Sequence, residues 1–262
     1  MTQFQDKVVW ITGASSGYGK ALALAFGAAG ARVILSARRK AELEDVAGMI
    51  GKAQAMPVTL DLEKSETFPG KCREAISAFG HIDIVIHNGA LGQNGTVLET
   101  APEIARKIME VDYFSYTELT RCLLPHFLER GAGHIVAVSG LIIAATAPGR
   151  SSYAAAKAAL FGYFGCLRAE VVNSNIGVTI LIPGAMQTDL VAKALKADGS
   201  IVGGAGTTTG CTVEEAARQS LEVIADRKYQ AYVGDEAGRQ RWELFQRDPE
   251  QLIAGFLQMF RK

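Results

Sequence analysis

The stretch Thr12-Gly13-Ala14-Ser15-Ser16-Gly17-Tyr18-Gly19 decides the fold of this chain. An apolar run at 8–11, typical of a buried strand, precedes it, and a helical pattern over 17–29 follows it. Small residues in such a turn let a phosphate group approach the backbone N–H groups at the helix N-terminus. The segment therefore predicts a dinucleotide site formed by Gly13, Ser15, Ser16, Gly17, Tyr18 and Gly19.

Short apolar runs alternate with longer helical patterns along the rest of the chain. The other predicted strands are 32–37, 53–60, 82–86, 134–139, 178–182 and 231–233. The other predicted helices are 40–50, 66–79, 103–129 and 153–173. Strands without polar alternation are buried on both faces, as in a parallel sheet covered by helices. The pattern predicts one α/β domain over 1–262, a Rossmann fold with a doubly wound seven-stranded parallel sheet.

Composition excludes several classes of function. The 262 residues include 27 basic and 27 acidic side chains, a balance that favours neither nucleic acid nor an anionic membrane as partner. No apolar stretch is long enough to span a bilayer, and the N-terminus lacks the layout of a signal peptide. The four cysteines show no metal-binding spacing, so free thiols in a reducing compartment are expected. These features predict a cytoplasmic protein without a metal.

Two late segments interrupt the alternation. Residues 187–212 are rich in glycine and threonine, and a flexible segment after a late strand is predicted to form a lid over a site. The tail 252–260 is apolar but short. It is predicted to pack on the body of the protein or on a partner subunit, rather than on a membrane.

The end of the second predicted strand indicates which dinucleotide binds. It has the sequence Leu35-Ser36-Ala37-Arg38-Arg39, without the acidic residue that binds both ribose hydroxyls of NAD. The two guanidinium groups suit a 2′-phosphate. We therefore predict NADP(H), the alternative being a solvated basic start of the next helix.

Tyr153 and Lys157 stand four residues apart on a predicted helix and so share a face. An ammonium group near a phenol favours the phenolate, which makes Tyr153 a candidate proton donor or acceptor. Proton transfer beside a bound nicotinamide is the chemistry of carbonyl and alcohol interconversion. The alternative is a half-buried aromatic side chain beside a solvated lysine.

Three motifs in this order resemble the short-chain dehydrogenase/reductase family over nearly the whole chain. They are the glycine-rich turn at 12–19, Tyr153-Ala154-Ala155-Ala156-Lys157, and Pro183-Gly184-Ala185-Met186-Gln187-Thr188. The stretch 122–209 looks like the membrane-associated dehydrogenase/reductase 7B-type branch. That branch usually carries an N-terminal anchor, which is not expected here.

The resemblance implies a role for each matching residue. Tyr153 would transfer the proton, while Lys157 would hold the nicotinamide ribose and lower the pKa of the tyrosine. The remaining cofactor contacts implied by the resemblance are Asp61 and Leu62 at the adenine, Asn88, Gly89 and Ala90 at the adenosine ribose, and Pro183, Gly184, Met186 and Thr188 at the carboxamide end. The family order after the asparagine is Ala-Gly, so Gly89 and Ala90 are exchanged.

Two catalytic positions depart from the family pattern. The serine that polarises the carbonyl lies thirteen residues before the tyrosine, where this chain has Gly140. Ser139 could move in to replace it, another hydroxyl could do so, or the protein could be a weak catalyst. The other candidate hydroxyls belong to Ser151, Ser152 and Thr146. The family asparagine is replaced by Asp112, so its water relay must be rearranged or Asp112 must be protonated.

These observations favour an NADP(H)-dependent reductase or alcohol dehydrogenase. Its substrate would be hydrophobic, because the expected lining is Leu141, Ile142, Ile143 and Met186 together with the lid. The alternatives are a dinucleotide-binding sensor or scaffold that has lost catalysis and, less favoured, a nucleotide-sugar epimerase or dehydratase. The helix 153–173 is apolar all round, which predicts a homodimer or homotetramer.

Overall fold

The computed structural model describes residues 3–144 and 147–260. Its strands are β1 (Val8–Thr12), β2 (Arg32–Ser36), β3 (Ala55–Pro57), β4 (Ile84–His87), β5 (Gln93–Asn94), β6 (Gly133–Val138), β7 (Ile176–Pro183), β8 (Leu195–Lys196) and β9 (Gln230–Val233). Its α-helices are α1 (Gly17–Ala28), α2 (Lys40–Ile50), α3 (Phe68–Phe79), α4 (Pro102–Met109), α5 (Ser115–Arg130), α6 (Ser151–Glu170), α7 (Val213–Ala225), α8 (Glu236–Arg247) and α9 (Pro249–Phe260). A π-helical turn, Glu110–Phe114, joins α4 to α5.

The main sheet has seven parallel strands in the order β3-β2-β1-β4-β6-β7-β9. This confirms the predicted fold class. The two faces of β1 show why its sequence lacks polar alternation. Val9 and Ile11 pack into the hydrophobic cluster on one face, and Val8 and Trp10 into the cluster on the other. All four are fully buried, because helices cover both faces.

Large side chains from the helices complete both layers. Phe26 of α1 and Leu221 of α7 pack on one face of the sheet, and Phe68, Phe127 and Phe164 pack on the other. Full burial of one such side chain contributes about 1.5–3 kcal/mol relative to its exposure. The sheet and its helices therefore form a rigid base for the loops at the carboxyl ends of the strands.

The strand order reverses next to β1, which places a crevice at the carboxyl ends of β1 and β4. The glycine-rich turn leaves β1 at this point, and Asn88 follows β4. Ser139 follows β6 at the same edge of the sheet. Topology therefore brings together segments that are far apart in the sequence.

Three features differ from the sequence prediction. β3 covers only Ala55–Pro57, although Val58 and Leu60 still donate backbone hydrogen bonds to β2 and the residue after it. The predicted helix 103–129 is divided by the π-helical turn, a distortion that is frequent at functional sites. β5 and β8 form a separate two-stranded parallel sheet, and strands of two residues are too short to leave an alternating pattern.

The 187–212 segment and the tail both pack on the body. The first contains β8, whose pairing with β5 attaches the segment to the rest of the chain. In α9, Leu252 is buried and Phe256 packs against the same cluster, whereas Leu257 is exposed. Within the described residues, no helix combines the length and apolarity needed to cross a bilayer.

Candidate active site

A cavity of about 1040 Å³ opens at the carboxyl ends of the central strands. It brings together nearly all of the predicted site residues, from the glycine-rich turn to the helix that carries Tyr153. Its lining includes Gly13, Ser15, Ser16, Gly17, Tyr18, Gly19, Arg38, Arg39, Asp61, Leu62, Asn88, Gly89, Ala90, Ser139, Tyr153, Lys157, Pro183, Gly184, Met186 and Thr188. Asp112 is the exception: it lies behind Lys157, fully buried.

The glycine-rich turn is held against the end of β4 at a distance that only glycine allows. A Cβ atom on Gly13 would lie 2.7 Å from the Cα of Gly89, and one on Gly19 would lie 2.3 Å from the carbonyl oxygen of Gly13. Gly13 also has a left-handed backbone, with φ of 69°. Thr12 completes the junction, because its Oγ1 accepts hydrogen bonds from the N–H groups of Asn88 (2.9 Å) and Gly89 (3.1 Å).

The N-terminus of α1 is open to an anion. Ser16 occupies the cap position without capping the helix through its side chain, and the first turn contains no acidic residue. The free backbone N–H groups and the helix dipole therefore favour a phosphate at this point. Tyr18 contributes differently from the prediction, because its hydroxyl bonds to Ser220 on α7 at 2.5 Å. Its phenol is part of the core, although Tyr18 also lines the cavity.

At the other side of the turn, Arg38 and Arg39 line the cavity. Arg39 donates to Ser15 Oγ at 3.2 Å, which joins the end of β2 to the turn. Arg38 lies 3.6 Å from a carboxylate oxygen of Glu63, whose other oxygen is 2.9 Å from Lys107. These ion pairs are exposed, so they contribute little to stability and an incoming phosphate can displace them. Glu63 is a neighbour that the sequence did not indicate.

Asp61 lines the cavity but also shapes its own loop. Its Oδ1 accepts a hydrogen bond from the N–H of Glu63 at 3.2 Å, a local turn in which the aspartate carboxylate binds the backbone. The carboxylate keeps further acceptor capacity, so this turn is compatible with a contact to the adenine.

Tyr153 and Lys157 share one face of α6, with Nζ of Lys157 5.8 Å from the centre of the Tyr153 ring. Lys157 is almost completely buried and has three partners. Nζ donates to the carbonyl oxygen of Val138 at 3.2 Å and to the hydroxyl of Tyr116 at 3.4 Å. It also lies 3.3 Å from Oδ2 of Asp112.

Asp112, at the position where the resemblance implies an asparagine, forms a direct ion pair with Lys157. Oδ1 of Asp112 accepts a hydrogen bond from the N–H of Leu91 at 2.7 Å. Nζ of Lys157 lies 3.3 Å from Oδ2, so the two buried groups form an ion pair. Burial raises the pKa of Asp112, and the Lys157 ammonium opposes that rise. Burial likewise lowers the pKa of Lys157, and Asp112 opposes that change.

The ion pair overturns one expectation about Tyr153. Lys157 was expected to lower the pKa of the phenol, yet the pKa of Tyr153 is raised in this structure. Burial is the main cause, the negative charge of Asp112 adds to it, and Arg150 partly offsets it. The Asp112 carboxylate thus acts on the phenol in the direction opposite to the one expected from the Lys157 ammonium.

Ser139 does not replace the missing serine, which corrects the prediction for this residue. Its side chain is buried, and its Oγ donates to the backbone carbonyl of Lys157 at 2.9 Å rather than to Tyr153. Position 140 faces the other way, as alternation along the chain requires. A Cβ atom built on Gly140 would lie 3.8 Å from the hydroxyl of Tyr153. The place for a second hydroxyl is therefore position 140.

Two of the three other candidate hydroxyls do not fill that place. Neither Ser151 nor Ser152 lines the cavity. Thr146 lies outside the described residues. Among the described candidates, Ser139 lines the cavity but directs its hydroxyl to the carbonyl oxygen of Lys157, and Ser151 and Ser152 do not line it.

Tyr116 is a site residue that the sequence analysis missed. It is fully buried, and its hydroxyl donates to the carbonyl oxygen of Gly89 at 3.1 Å while accepting from Lys157. The ring of His87 stacks on it at 5.2 Å between centres. Burial lowers the pKa of His87 to about 3, so this imidazole is neutral. The sequence spacing could have indicated Tyr116, because Asp112 and Tyr116 stand four residues apart and therefore share one helical face.

The substrate side of the cavity is mainly apolar. Leu141, Ile142 and Met186 line it as predicted, whereas Ile143 is absent from the lining and packs towards the core instead. The 187–212 segment adds Leu190, Val191, Leu195 and Ile201. Arg241 and Phe256 of the C-terminal helices also reach the cavity, which the sequence did not indicate.

Comparison with known proteins decides the family. A family model described as short chain dehydrogenase matches residues 7–199. The chain belongs to the short-chain dehydrogenase family. Dehydrogenase/reductase SDR family member 7B of Bos taurus is 36% identical over 241 residues, which are 88% of this chain and 74% of that protein. The resemblance to the family and its 7B-type branch is therefore confirmed.

Two solved short-chain dehydrogenases show how widely the fold is shared. One from Streptomyces avermitilis has a TM-score of 0.80 and 26% identity, covering 97% of this chain and 98% of its own. The 3-ketoacyl-(acyl-carrier-protein) reductase from Brucella melitensis, complexed with NADH, has a TM-score of 0.79 and 26% identity over 90% of this chain and 99% of its own.

Within the short-chain dehydrogenase family, the departures at Gly140 and Asp112 now have a structural meaning. The first removes the side chain from the position nearest the Tyr153 phenol, and the hydroxyl of the adjacent Ser139 is bonded to α6 instead. The second places a carboxylate directly against Lys157. Both changes act on the proton-transfer end of the cavity and leave the glycine-rich turn intact.

Proposed function

We propose that this short-chain dehydrogenase is an NADP(H)-dependent oxidoreductase that interconverts a carbonyl and an alcohol on a hydrophobic small molecule. The observation that carries the proposal is one cavity with two ends. The Tyr153 phenol and Lys157 lie at one end, and the glycine-rich turn with Arg38 and Arg39 lies at the other. A bound NADP(H) supplies or accepts the hydride.

The residues at the dinucleotide end fit this cofactor. The uncapped N-terminus of α1 offers N–H groups to the pyrophosphate. Ser15, Arg38 and Arg39 offer a hydroxyl and two guanidinium groups to a 2′-phosphate. The Brucella reductase is complexed with NADH, so the support for the phosphorylated form comes from the arginine pair of this chain alone.

Replacing both arginines by alanine is expected to weaken NADPH binding by at least roughly 10–150-fold, because the loss of even one charge-assisted hydrogen bond costs about 1.5–3 kcal/mol. Binding of NADH is expected to stay unchanged. Titration calorimetry of the Arg38→Ala/Arg39→Ala protein with both nucleotides measures this. Arg218→Ala is the matched control, since Arg218 is an exposed, ion-paired arginine on α7. A variant that still prefers NADPH would contradict the cofactor assignment.

Tyr153 is the group that exchanges a proton with the substrate oxygen. In carbonyl reduction the phenol donates its proton, and in alcohol oxidation the phenolate accepts one. The raised pKa keeps the phenol protonated at neutral pH, which favours reduction. Lys157 donates to Val138 and Tyr116 and pairs with Asp112, and it also lines the cavity, where its ammonium group would hold a ribose hydroxyl.

The Asp112→Asn variant is expected to shift the pH profile of alcohol oxidation to lower pH by about 1 unit. The negative charge of Asp112 raises the pKa of Tyr153, so its removal lets the phenolate form at lower pH. The measurement is kcat/KM against pH. Asp226→Asn is the control, because Asp226 forms an exposed ion pair with Lys228 at the same 3.3 Å. An unchanged midpoint of the pH profile would contradict the prediction. It would mean that Lys157 loses its positive charge when Asp112 loses its negative charge.

The apolar wall supports a hydrophobic carbonyl substrate. Leu141, Ile142 and Met186 lie on the same cavity as Tyr153, and the lid proposed at 187–212 covers it with further aliphatic side chains. A panel of aldehydes and ketones of increasing chain length with NADPH tests this. Turnover is expected to increase with chain length, and no turnover of any member would contradict the proposal.

A second function is favoured by specific contacts. The Ser139 hydroxyl is bonded to α6, position 140 has no hydroxyl, and Lys157 is paired with Asp112. These features suit a dinucleotide-binding sensor or scaffold whose catalysis is weak. Tight NADPH binding without turnover would support that function over the first.

The predicted association into a homodimer or homotetramer also stays a proposal, as does a cytoplasmic location. The support for association is the outer face of α6, where Ala155, Ala158, Gly162 and Cys166 are exposed in the single chain. Small residues of this kind let two helices approach closely.

A further inference from the structure

The helix that carries Tyr153 is capped by a residue from a distant part of the chain. Arg150 occupies the cap position of α6, and its side chain makes no capping hydrogen bond. The first N–H groups of a helix need an acceptor outside the helix. The side-chain oxygen of Gln93 provides it, accepting from the N–H groups of Ser152 at 2.7 Å and Tyr153 at 3.2 Å.

The amide of Gln93 is fixed in this orientation. Gln93 is fully buried, and its Nε2 donates to the carbonyl oxygen of Gly95 at 3.3 Å and to Thr100 Oγ1 at 3.1 Å. The opposite orientation of the amide would direct an NH₂ group at two backbone N–H donors, so the network allows only one. The cap therefore has the rigidity that a positioning group needs.

Gln93 also connects α6 to the 187–212 segment. It belongs to β5, which pairs in parallel with β8, and the N–H of Leu195 donates to the carbonyl oxygen of Gly92 at 2.9 Å. Leu195 is buried in a small cluster with Ile108 and Ala156, and Tyr153 packs against the same cluster. The segment that covers the substrate side thus contacts the catalytic helix directly through Leu195 and is connected to it indirectly through the pairing of β8 with β5.

We infer that Gln93 is a positioning residue for the reaction. By capping α6 from the β5–β8 sheet, it fixes the position of the first turn of α6 and thereby of the Tyr153 phenol. The inference rests on the proposed function. Gln93 does not line the cavity, so it acts through Tyr153 and not on the substrate.

The Gln93→Met variant tests this, since methionine keeps the length of the side chain and removes the acceptor. Its kcat is expected to fall about 10–100-fold, as for a small displacement of a catalytic group, with the KM for NADPH unchanged. Hydrogen exchange at the amides of 152 and 153 is expected to become at least about tenfold faster, because both lose their acceptor. Gln93→Glu keeps an acceptor oxygen and is expected to recover most of kcat and of the protection from exchange.

Gln219→Met is the matched control, because Gln219 forms two side-chain hydrogen bonds to the backbone of Gly234, away from α6. Unchanged exchange in Gln93→Met would overturn the inference, and so would faster exchange with unchanged kcat. If the wild-type protein binds NADPH but turns over no substrate, the proposed function fails. In that case the exchange data decide the inference, because unchanged exchange at 152 and 153 overturns it and local acceleration with intact NADPH binding supports it.

Discussion

The Tyr153→Phe protein is expected to lose turnover by about two to four orders of magnitude in kcat, the usual contribution of a positioned acid or base. Phenylalanine keeps the ring that packs against the Leu195 cluster and removes only the hydroxyl. Binding of NADPH is expected to stay intact, because the glycine-rich turn and the arginine pair lie at the other end of the cavity. Steady-state kinetics and titration calorimetry separate the two effects.

The control for this variant lies on the same helix. Tyr163 of α6 donates a hydrogen bond to the carbonyl oxygen of Thr117 at 3.3 Å and is absent from the cavity lining. Tyr163→Phe is expected to cost about 1 kcal/mol of stability and to leave kcat unchanged. Full activity in Tyr153→Phe would exclude the phenol as the proton donor, and the proposed mechanism would be wrong.

The Gly140→Ser variant is expected to gain activity, with kcat rising by about 10²–10³-fold. A hydroxyl beside the phenol would donate to the oxygen on which charge develops, and one such donor has this effect on rate. The structure has room for it. A Cβ atom at 140 would lie 3.7 Å from Ile142 Cγ2 and 3.8 Å from the Tyr153 hydroxyl, which are ordinary contacts. The backbone at 140 is extended, with φ of 172°, so serine fits without strain.

The Gly140→Ala variant distinguishes the effect of the serine hydroxyl from that of the added Cβ atom. It introduces the same carbon without a donor, so it is expected to leave kcat near the wild-type value. The double variant Gly140→Ser/Tyr153→Phe is expected to be inactive, because the gained turnover still passes through the phenol. If Gly140→Ser binds NADPH and remains as slow as Gly140→Ala, the missing serine is not what limits the reaction, and the sensor or scaffold function gains support.

Together these variants distinguish a weak enzyme from a binding protein. The departures at 140 and 112 affect the proton-transfer end only, and the dinucleotide end keeps its glycines and arginines. Gly13 and Gly19, where any Cβ atom would clash with the backbone, maintain the close turn on which both proposed functions depend. Binding of the dinucleotide is therefore the property common to both proposed functions.

The fold could be predicted because its signals are local. Val8–Thr12 is apolar without alternation, and glycine recurs where the chain turns into α1, so strand, turn and helix follow from neighbouring residues. The i, i+4 spacing of Tyr153 and Lys157 likewise places both on one helical face. Local patterns failed where elements were very short, as in β5 and β8, or distorted, as in the π-helical turn that contains Asp112.

The sequence by itself determined the parallel sheet, the dinucleotide turn and the shared face of Tyr153 and Lys157, because each depends on residues within a few positions of one another. Only the tertiary structure decided which groups surround that pair. Asp112 of the π-helical turn pairs with Lys157 of α6, and the Ser139 hydroxyl donates to a backbone carbonyl of α6. The Gln93 side chain caps α6 from 59 positions away along the chain. Such contacts depend on how the elements pack, and burial then sets the charge state of the groups in contact.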